Sequence, residues 1–341
     1  MAAQPDKFSL IRVPYREVCH VLSRVLLKLG FIEERARLCA QLFADASRDG
    51  VYSHGLDRFP RFVRGIRKGL IDVQATPGLV SSHGALEQWN GNRGAGNLNA
   101  WQSMARAITL SRQHGIGCVA LANTNHWMRG GTYGWQAAEA GVIGICWTNT
   151  MPNLPPWGAS DPRVGNNPLV IAVPRPQGHV VLDIAMSQFS YGALASYRAR
   201  GELLPVDGGF DPQGELTRDP AAIELSARPL PIGYWKGSGL ALMLDLISGL
   251  LSGGSFTHQI PADPEEETAL SQVFLTFDLS ALNNSRAAAE LADQVIDYFR
   301  SSDQSGNQVR YPGQQVLKTR SESMAKGIPV QPSIWAELQQ L

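Results

Sequence analysis

Cysteine is scarce in this chain: 341 residues hold only Cys19, Cys39, Cys118 and Cys146. Each lies in an apolar run and none forms a C-x-x-C pair, which disfavours a disulfide framework or a thiolate metal site. Free thiols in a reducing cytoplasm are the expectation. Net charge is missing too. Thirty Lys and Arg balance thirty Asp and Glu, so no overall field attracts nucleic acid or an anionic membrane surface. No stretch of about 20 apolar residues occurs, which excludes a membrane-spanning helix. The start, MAAQPDKFSLIRV, lacks the basic segment and apolar run of a signal peptide. Low-complexity tracts and internal repeats are also absent.

Chemical signatures are missing as well. No G-x-G-x-x-G follows an early strand, so the usual Rossmann dinucleotide fingerprint is not present. GNRGAGN at 91–97 has its glycines in the wrong order, and KGSGLALML has too few. WGASD contains a serine but no nucleophile elbow, which disfavours a serine hydrolase. No His, Asp or Glu group has metal-ligand spacing, so no metal is expected.

The chain does hold enough apolar residues, 44%, for a large core. Val18, Val21, Leu22, Val25, Leu26 and Leu29 recur at helical spacing, and Gly30 is a natural stop. A second helix carries Ala36, Cys39, Ala40 and Phe43 on one face. A turn and a short basic helix follow, with Pro60 in its first turn. The run Arg58, Arg61, Arg64, Arg67 and Lys68 reads as a solvated helix face, although Arg58 stands apart through its place beside His54. LEQWNGNRGAGN reads as turn-rich. Beyond it, strands at 117–122, 142–147, 169–173, 180–184 and 272–279 alternate in part with helices at 100–113, 134–140 and 237–251. That alternation indicates an α/β domain. The end is helical at 287–300 and 333–341, and PADPEEET is an acidic surface loop.

Two histidines have settings suited to chemistry. His54 lies in YSHGLDR with Ser53 before it and Arg58 after it. Arginine grips a carboxylate at two points, and a protonated imidazole donates to a carbonyl oxygen as it becomes an alcohol. His126, in NTNHWMRGG, has Asn123 and Asn125 as neighbours and offers the same chemistry. Each has a structural alternative, a helix-end cap for His54 and a satisfied interior ring for His126. YWKGSGLALML has the form of a phosphate-binding helix start, with Lys236 as a point charge, but also of an ordinary helix start. LDIAMSQFSYG passes from a strand through Asp183 into Ser187 and Ser190, hydroxyls that suit either helix capping or a ribose or phosphate.

Taken together, YSHGLDRFPRF, NTNHWMRGGTYGWQAAEAGVIGICWTNT, PPWGASDPRVGNNPL, SYG, LPVDGGFD and GYWKGSGLALMLD resemble the malate/L-lactate/L-sulfolactate dehydrogenase family. The resemblance runs from about residue 15 to the end of the chain, and HWMRGG, PPWGA and GYWKGSG are most similar to the branch that reduces 2,3-diketo-L-gulonate. It implies an α/β fold of L-sulfolactate dehydrogenase type, with a mixed seven-stranded sheet and helices on both faces, unrelated to Rossmann enzymes. A helical region at 1–75 is then expected to pack with C-terminal helices at 285–341, around an α/β cofactor- and substrate-binding domain at 76–284. It also implies a homodimer, and NADH, with NADPH as the alternative, as the cofactor of a 2-keto acid reductase. By motif, the proton donor falls on His54 or His126, and substrate contacts fall on Ser53, Arg58, Asn125 and Asn149. Cofactor contacts fall on His179, Val180, Val181, Leu182, Asp183, Ile184, Ala185, Ser187, Lys236, Gly237, Gly313, Gln314 and Gln315. Where many relatives read P-G-E, this chain has two glutamines after Gly313 and so no carboxylate. Arg175 and Arg198 stand as free cations for a 2′-phosphate. Other substrates within the resemblance are malate, lactate, ureidoglycolate, sulfolactate and the cyclic imines Δ1-piperideine-2-carboxylate and Δ1-pyrroline-2-carboxylate. A different class would be a nicotinamide-binding module without catalysis.

Overall fold

Apolar spacing forms the first helices. The computed structural model describes residues 10–283, 287–302 and 309–341. After a short strand β1 (Ile11–Val13), α1 (Tyr15–Lys28) buries Val18, Val21, Leu22, Val25 and Leu26 along one side. α2 (Glu33–Arg48) buries Ala36, Cys39, Ala40 and Phe43 in the same way. Two single-turn 3-10 segments, Tyr52–His54 and Leu56–Arg58, then carry the SHGLDR motif into α3 (Phe59–Arg67), whose Pro60 needs no N–H partner in the first turn. Phe43 and Phe59 meet edge to face, 5.1 Å between centroids, and fix α3 on α2.

The middle of the chain builds a sheet. Its elements are β2 (Gly78–His83), β3 (Leu86–Asn90), α4 (Gly96–His114), β4 (Ile116–Thr124), α5 (Gly131–Glu139), β5 (Ile143–Thr148), β6 (Leu169–Val173) and β7 (Val180–Ile184). Next come α6 (Tyr191–Arg200), a small hairpin of β8 (Gly209–Phe210) and β9 (Leu216–Thr217), α7 (Pro220–Ser226), and the long apolar α8 (Trp235–Ser252). β10 (Leu270–Phe277) returns to the sheet, and α9 (Ala288–Arg300), α10 (Gln314–Lys326), β11 (Ile328–Val330) and α11 (Pro332–Gln340) complete the chain.

The seven-stranded sheet has the order β2-β3-β4-β10-β5-β6-β7. Only β3 and β4 pair in parallel; the other neighbours are antiparallel. This is a mixed sheet and not the parallel, doubly wound Rossmann sheet. Its two faces alternate as strand geometry requires. Val119, Leu121, Cys146 and Phe274 pack under α4 and α5, while Ala120, Trp147 and Val273 pack under α8. Helices therefore cover both faces. β10 is central and buried on both sides, its polar Ser271, Gln272 and Thr276 included. At the ends of the chain, β1 pairs antiparallel with β11, Ile11 opposite Val330. One core joins Val18, Leu22, Phe43 and Phe59 to Ile328, Trp335 and Leu338.

Two sequence expectations change. Leu86–Asn90, read as turn, is strand β3. The inward-pointing Glu87 hides its alternation: this carboxylate is buried, and Arg106 (2.6 Å) and the Trp89 indole (2.9 Å) satisfy it. The arginine face of α3 and the acidic loop, read as separate solvated surfaces, meet each other. Glu265 lies 3.6 Å from Arg61, 3.2 Å from Arg64 and 3.9 Å from Lys68.

Phe274 sits at the centre of this arrangement, 6.2 Å from the Trp127 ring and 6.0 Å from that of Tyr133. Phe274→Ala should destabilise the fold by about 3–5 kcal/mol, read by denaturant titration, because it opens a cavity in rigid surroundings.

Candidate active site

Where β4 ends, the backbone of Asn125 and His126 passes close over the first residue of α4. A Cβ on Gly96 would lie 2.2 Å from the Asn125 carbonyl oxygen and 2.3 Å from that of His126. This glycine of GNRGAGN thus serves a close backbone crossing. Asn125 is a brace. Its amide donates to the carbonyls of Arg93 (2.8 Å) and Gly94 (3.0 Å), and its oxygen accepts from Thr268 Oγ1 (2.9 Å). Trp127 is buried against Tyr133 and anchors the next residue.

Between these anchors His126 is held in one form. Its Nδ1 accepts the Met128 backbone N–H at 3.0 Å, so the neutral ring carries its hydrogen on Nε2. His54 arrives on the 3-10 turn and stacks on it, with centroids 5.7 Å apart and planes 20° from parallel. Ser53 Oγ lies 3.1 Å from His54 Nδ1. A hydroxyl can accept as well as donate, so His54, unlike His126, can take a second proton without losing its hydrogen bond. The SYG motif closes on the same point: a Cβ on Gly192 would lie 2.8 Å from Ser53 Oγ.

Burial and the charges around the pair keep both rings neutral near pH 7. Burial, then Arg58 and Arg129, lower the His54 pKa to about 4. Burial, then Arg58 and His54, hold His126 well below the usual histidine range. Arg58 itself falls to about 10 through burial and the nearby Arg61. A cavity beside His126 is lined by Arg58, Arg61, Asn125, Glu265 and Glu267. Arg58 Nη2 and Glu267 Oε2 face each other at 3.7 Å.

Behind the histidines lies a cluster that sequence reasoning missed. Asp49, at the end of α2, accepts from Arg48 Nε (2.8 Å), Arg129 Nη1 (2.6 Å), and Arg320 Nε and Nη2 (2.9 and 2.7 Å). Its side chain is 1% exposed. Burial opposes its charge, but hydrogen bonds from Arg320 and Arg48 and the charge of Arg129 outweigh it and hold the carboxyl far below its usual range. Arg320 also stacks over Trp135, 4.5 Å from the ring centroid. Sequence spacing could not reveal these contacts, since the partners Arg129 and Arg320 stand 80 and 271 positions from Asp49.

The HWMRGG loop links this cluster to β7. The Gly131 N–H donates to Asp183 Oδ2 at 2.8 Å. Asp183 is exposed near the end of β7, and desolvation by the surrounding protein raises its pKa despite Arg129. The other segments assigned to a cofactor gather at this edge of the sheet. The Val181 N–H donates to the Pro312 carbonyl (3.0 Å), which lays the YPG turn along β7. Gly313 has φ +92° and sits where a Cβ would meet the Val181 nitrogen at 3.1 Å. The Ile232 N–H donates to Met186 O (2.8 Å), and that of Gln188 to Leu230 O (2.7 Å), so the exit of β7 is tied to the approach of α8. Lys236 is exposed at that helix start, and Gly237 packs on the Ile232 backbone. Ser187 Oγ is buried with no hydrogen-bond partner among the described residues. An orphaned hydroxyl beside a helix start that carries a lysine fits the phosphate or ribose of a dinucleotide.

With this geometry in view, comparison with known proteins is decisive. The malate/L-lactate dehydrogenase family model matches residues 13–339. The chain belongs to that family. It is 45% identical over 333 residues to the 2,3-diketo-L-gulonate reductase of Escherichia coli O6:K15:H31, covering 97% of this chain and all of that protein. Its fold superimposes on the sulfolactate dehydrogenase of Methanocaldococcus jannaschii with TM-score 0.90 at 26% identity, covering 97% of this chain and 96% of that one. It also superimposes on the malate dehydrogenase of Pyrococcus horikoshii OT3 with TM-score 0.88 at 28% identity, covering 100% of this chain and 96% of that one. As a member of this family the protein is an oxidoreductase acting on hydroxy or keto acids.

Some residues assigned from sequence also carry structural hydrogen bonds. Asn149 is fully buried, and its amide is used by Asp245 (3.0 Å), the Ser255 carbonyl (2.7 Å) and the Ser271 N–H (2.8 Å). His179 Nδ1 accepts from the Arg175 N–H (3.1 Å), Gln314 Oε1 from the Tyr311 N–H (3.3 Å), and Gln315 Oε1 from Arg310 (3.2 Å). Arg175 and Arg198, read as free cations, are paired with Asp293 and with Glu224 (2.7 Å), respectively. Val180, Leu182, Ile184 and Ala185 are half-buried at or just beyond the edge strand.

Asp49→Asn should cost about 3–5 kcal/mol, because it leaves buried guanidinium groups without their anion. The folded pKa of Asp49 is depressed. Its contribution is therefore fully present above the unfolded value of about 4, and is lost as pH falls from there through the folded value. Denaturation of the two proteins at pH 7 and in acid checks this: their stability difference should shrink as the pH falls.

Proposed function

We propose that the protein is an NADH-dependent 2-keto acid reductase whose substrate is 2,3-diketo-L-gulonate or a close sugar-derived keto acid. The observation that carries this reading is the stacked histidine pair beside Arg58, with two different protonation capacities built into it. The substrate assignment is supported by similarity to the diketogulonate reductase over nearly the whole chain. NADH is favoured because Arg175 and Arg198 already have carboxylate partners. The cytoplasm is favoured by four free thiols.

In this mechanism Arg58 exchanges its contact with Glu267 for the substrate carboxylate and so orients the C2 carbonyl. Ser187, Lys236 and the β7 edge hold the nicotinamide dinucleotide. When bound, that cofactor supplies the hydride that C2 accepts. His126 stays neutral and donates its Nε2–H to the carbonyl oxygen, which stabilises the developing alkoxide. His54 gives its proton to that oxygen, leaving a 2-hydroxy acid and a neutral imidazole. Ser53 keeps the His54 ring in place through both states. A substrate carboxylate on Arg58 offsets one of the positive charges that disfavour protonated His54.

The family resemblance also leads us to a homodimer. α8 exposes Leu242, Met243, Leu246 and Leu250, three of them one helical turn apart on the same side. Such an apolar stripe is costly in water and suits burial against a second copy.

Initial rates over a panel of 2,3-diketo-L-gulonate, pyruvate, oxaloacetate and Δ1-piperideine-2-carboxylate, each with NADH and NADPH, test the activity. Diketogulonate with NADH should give the highest kcat/KM. His54→Gln and His126→Gln should each lose at least about a hundredfold, and Arg58→Ala should act mainly on KM. Wild-type turnover in both histidine variants would contradict the mechanism. For the assembly, Leu246→Glu combined with Leu250→Glu should convert a dimer to a monomer in sedimentation velocity, whereas a monomeric wild-type protein would refute it.

A further inference from the structure

The cavity beside His126 holds two cations, Arg58 and Arg61, and two carboxylates, Glu265 and Glu267. This balance is unexpected for a site that must attract an anionic acid. Glu265 is engaged outward, within 4 Å of Arg61, Arg64 and Lys68 together. Glu267 is different. Its side chain is 6% exposed, its Oε1 accepts the Met151 N–H at 3.3 Å, and its Oε2 faces Arg58 at a distance too long for a hydrogen bond. A carboxylate has about four acceptor sites, so among the described residues Glu267 keeps several of them unused inside the pocket. It is also fixed in place. The neighbouring Thr268 donates to Asn125, the residue before His126, so the acid is tied to the same strand end as the histidine.

We propose that Glu267 is a specificity-determining residue that selects keto acids with one carboxylate and a hydroxylated chain, and turns away dianionic keto acids. The inference rests on the reductase reading above and names the feature of the substrate that the pocket reads. Once a substrate carboxylate has taken Arg58, the freed Glu267 oxygens accept hydrogen bonds from chain hydroxyls. Charge-assisted bonds of this type are short and strong. A second carboxylate in the same position meets Glu267 across a poorly screened gap. The other cation lining the cavity, Arg61, lies 3.6 Å from Glu265, and that carboxylate offsets part of the charge it could set against the repulsion. Selection then works through a repulsive element as well as an attractive one.

The test compares wild type, Glu267→Gln and Glu267→Asp. Gln is isosteric and still accepts the Met151 N–H, so the fold is preserved, and Asp keeps the charge. With NADH, kcat/KM is measured for 2,3-diketo-L-gulonate, a monoanion, and oxaloacetate, a dianion. Dissociation constants for L-gulonate and L-malate, measured by calorimetry on the NAD-loaded protein, give the same comparison without turnover. Wild type should prefer the monoanion of each pair. Glu267→Gln should shift both ratios towards the dianion by at least tenfold, and Glu267→Asp should keep the wild-type order. Ratios in Glu267→Gln within threefold of wild type overturn the proposal. A wild-type protein that reduces none of the keto acids but still shows the shifted binding ratio contradicts the reductase reading and leaves the charge selection standing.

Discussion

The contacts of Asp49 tie the functional region together. One buried carboxylate receives four hydrogen bonds from three arginines, and those arginines come from distant parts of the chain. Arg48 ends α2, Arg129 belongs to the loop that carries His126, and Arg320 lies on α10. The N-terminal helices, the loop that carries His126 and the C-terminal helix are therefore fastened at one point. Such a cluster is no cheap source of stability, because each charge loses water on burial. Its value lies in geometry: a multivalent carboxylate accepts only one arrangement of three planar guanidinium groups. Asp45 adds a second carboxylate, 2.7 Å from Arg48 Nη1, and accepts the Tyr15 hydroxyl at 2.7 Å, which extends the network to α1.

That arrangement has an electrostatic consequence. Arg129 is held by Asp49 and lies close enough to His54 and Asp183 to influence both. Burial, then Arg58 and Arg129, lower the His54 pKa to about 4, so a proton is taken up there only against a penalty. Hydrogen-bond partners then give the two rings different protonation capacities. The Met128 N–H occupies His126 Nδ1 and makes this imidazole a fixed donor, while the Ser53 hydroxyl leaves His54 free to change its protonation state. Two histidines with the same side chain thus differ through a single hydrogen-bond partner each.

Much of this could be read in the sequence, with characteristic gaps. Helices α1, α2 and α8 and strands β4 to β7 follow from local periodicity, which is a short-range property. β3 is hidden by the buried Glu87, whose partner Arg106 lies in another element. The candidate catalytic residues stand out because unusual residue types cluster within a few positions in SHGLDR and NTNHWM. Asp49, Arg320 and Glu267 do not, since each looks like an ordinary surface charge until the fold supplies its partners. Nothing near Asn149 in the sequence signals that its amide is consumed between β5, β10 and α8. The glycines at 91, 94 and 96 look like a defective phosphate loop, and Gly96 proves to be a crossing point for the backbone of the histidine loop.

The division of labour between the two histidines is the central claim, and the pH profile of kcat/KM for keto acid reduction tests it most directly. With the His54 pKa at about 4, the protonated fraction falls tenfold per unit above that value. The account predicts a slope of about −1 in log kcat/KM across the neutral range, retained in His126→Gln at lower activity and abolished in His54→Gln. A slope that survives loss of His54 and disappears with His126 would contradict it.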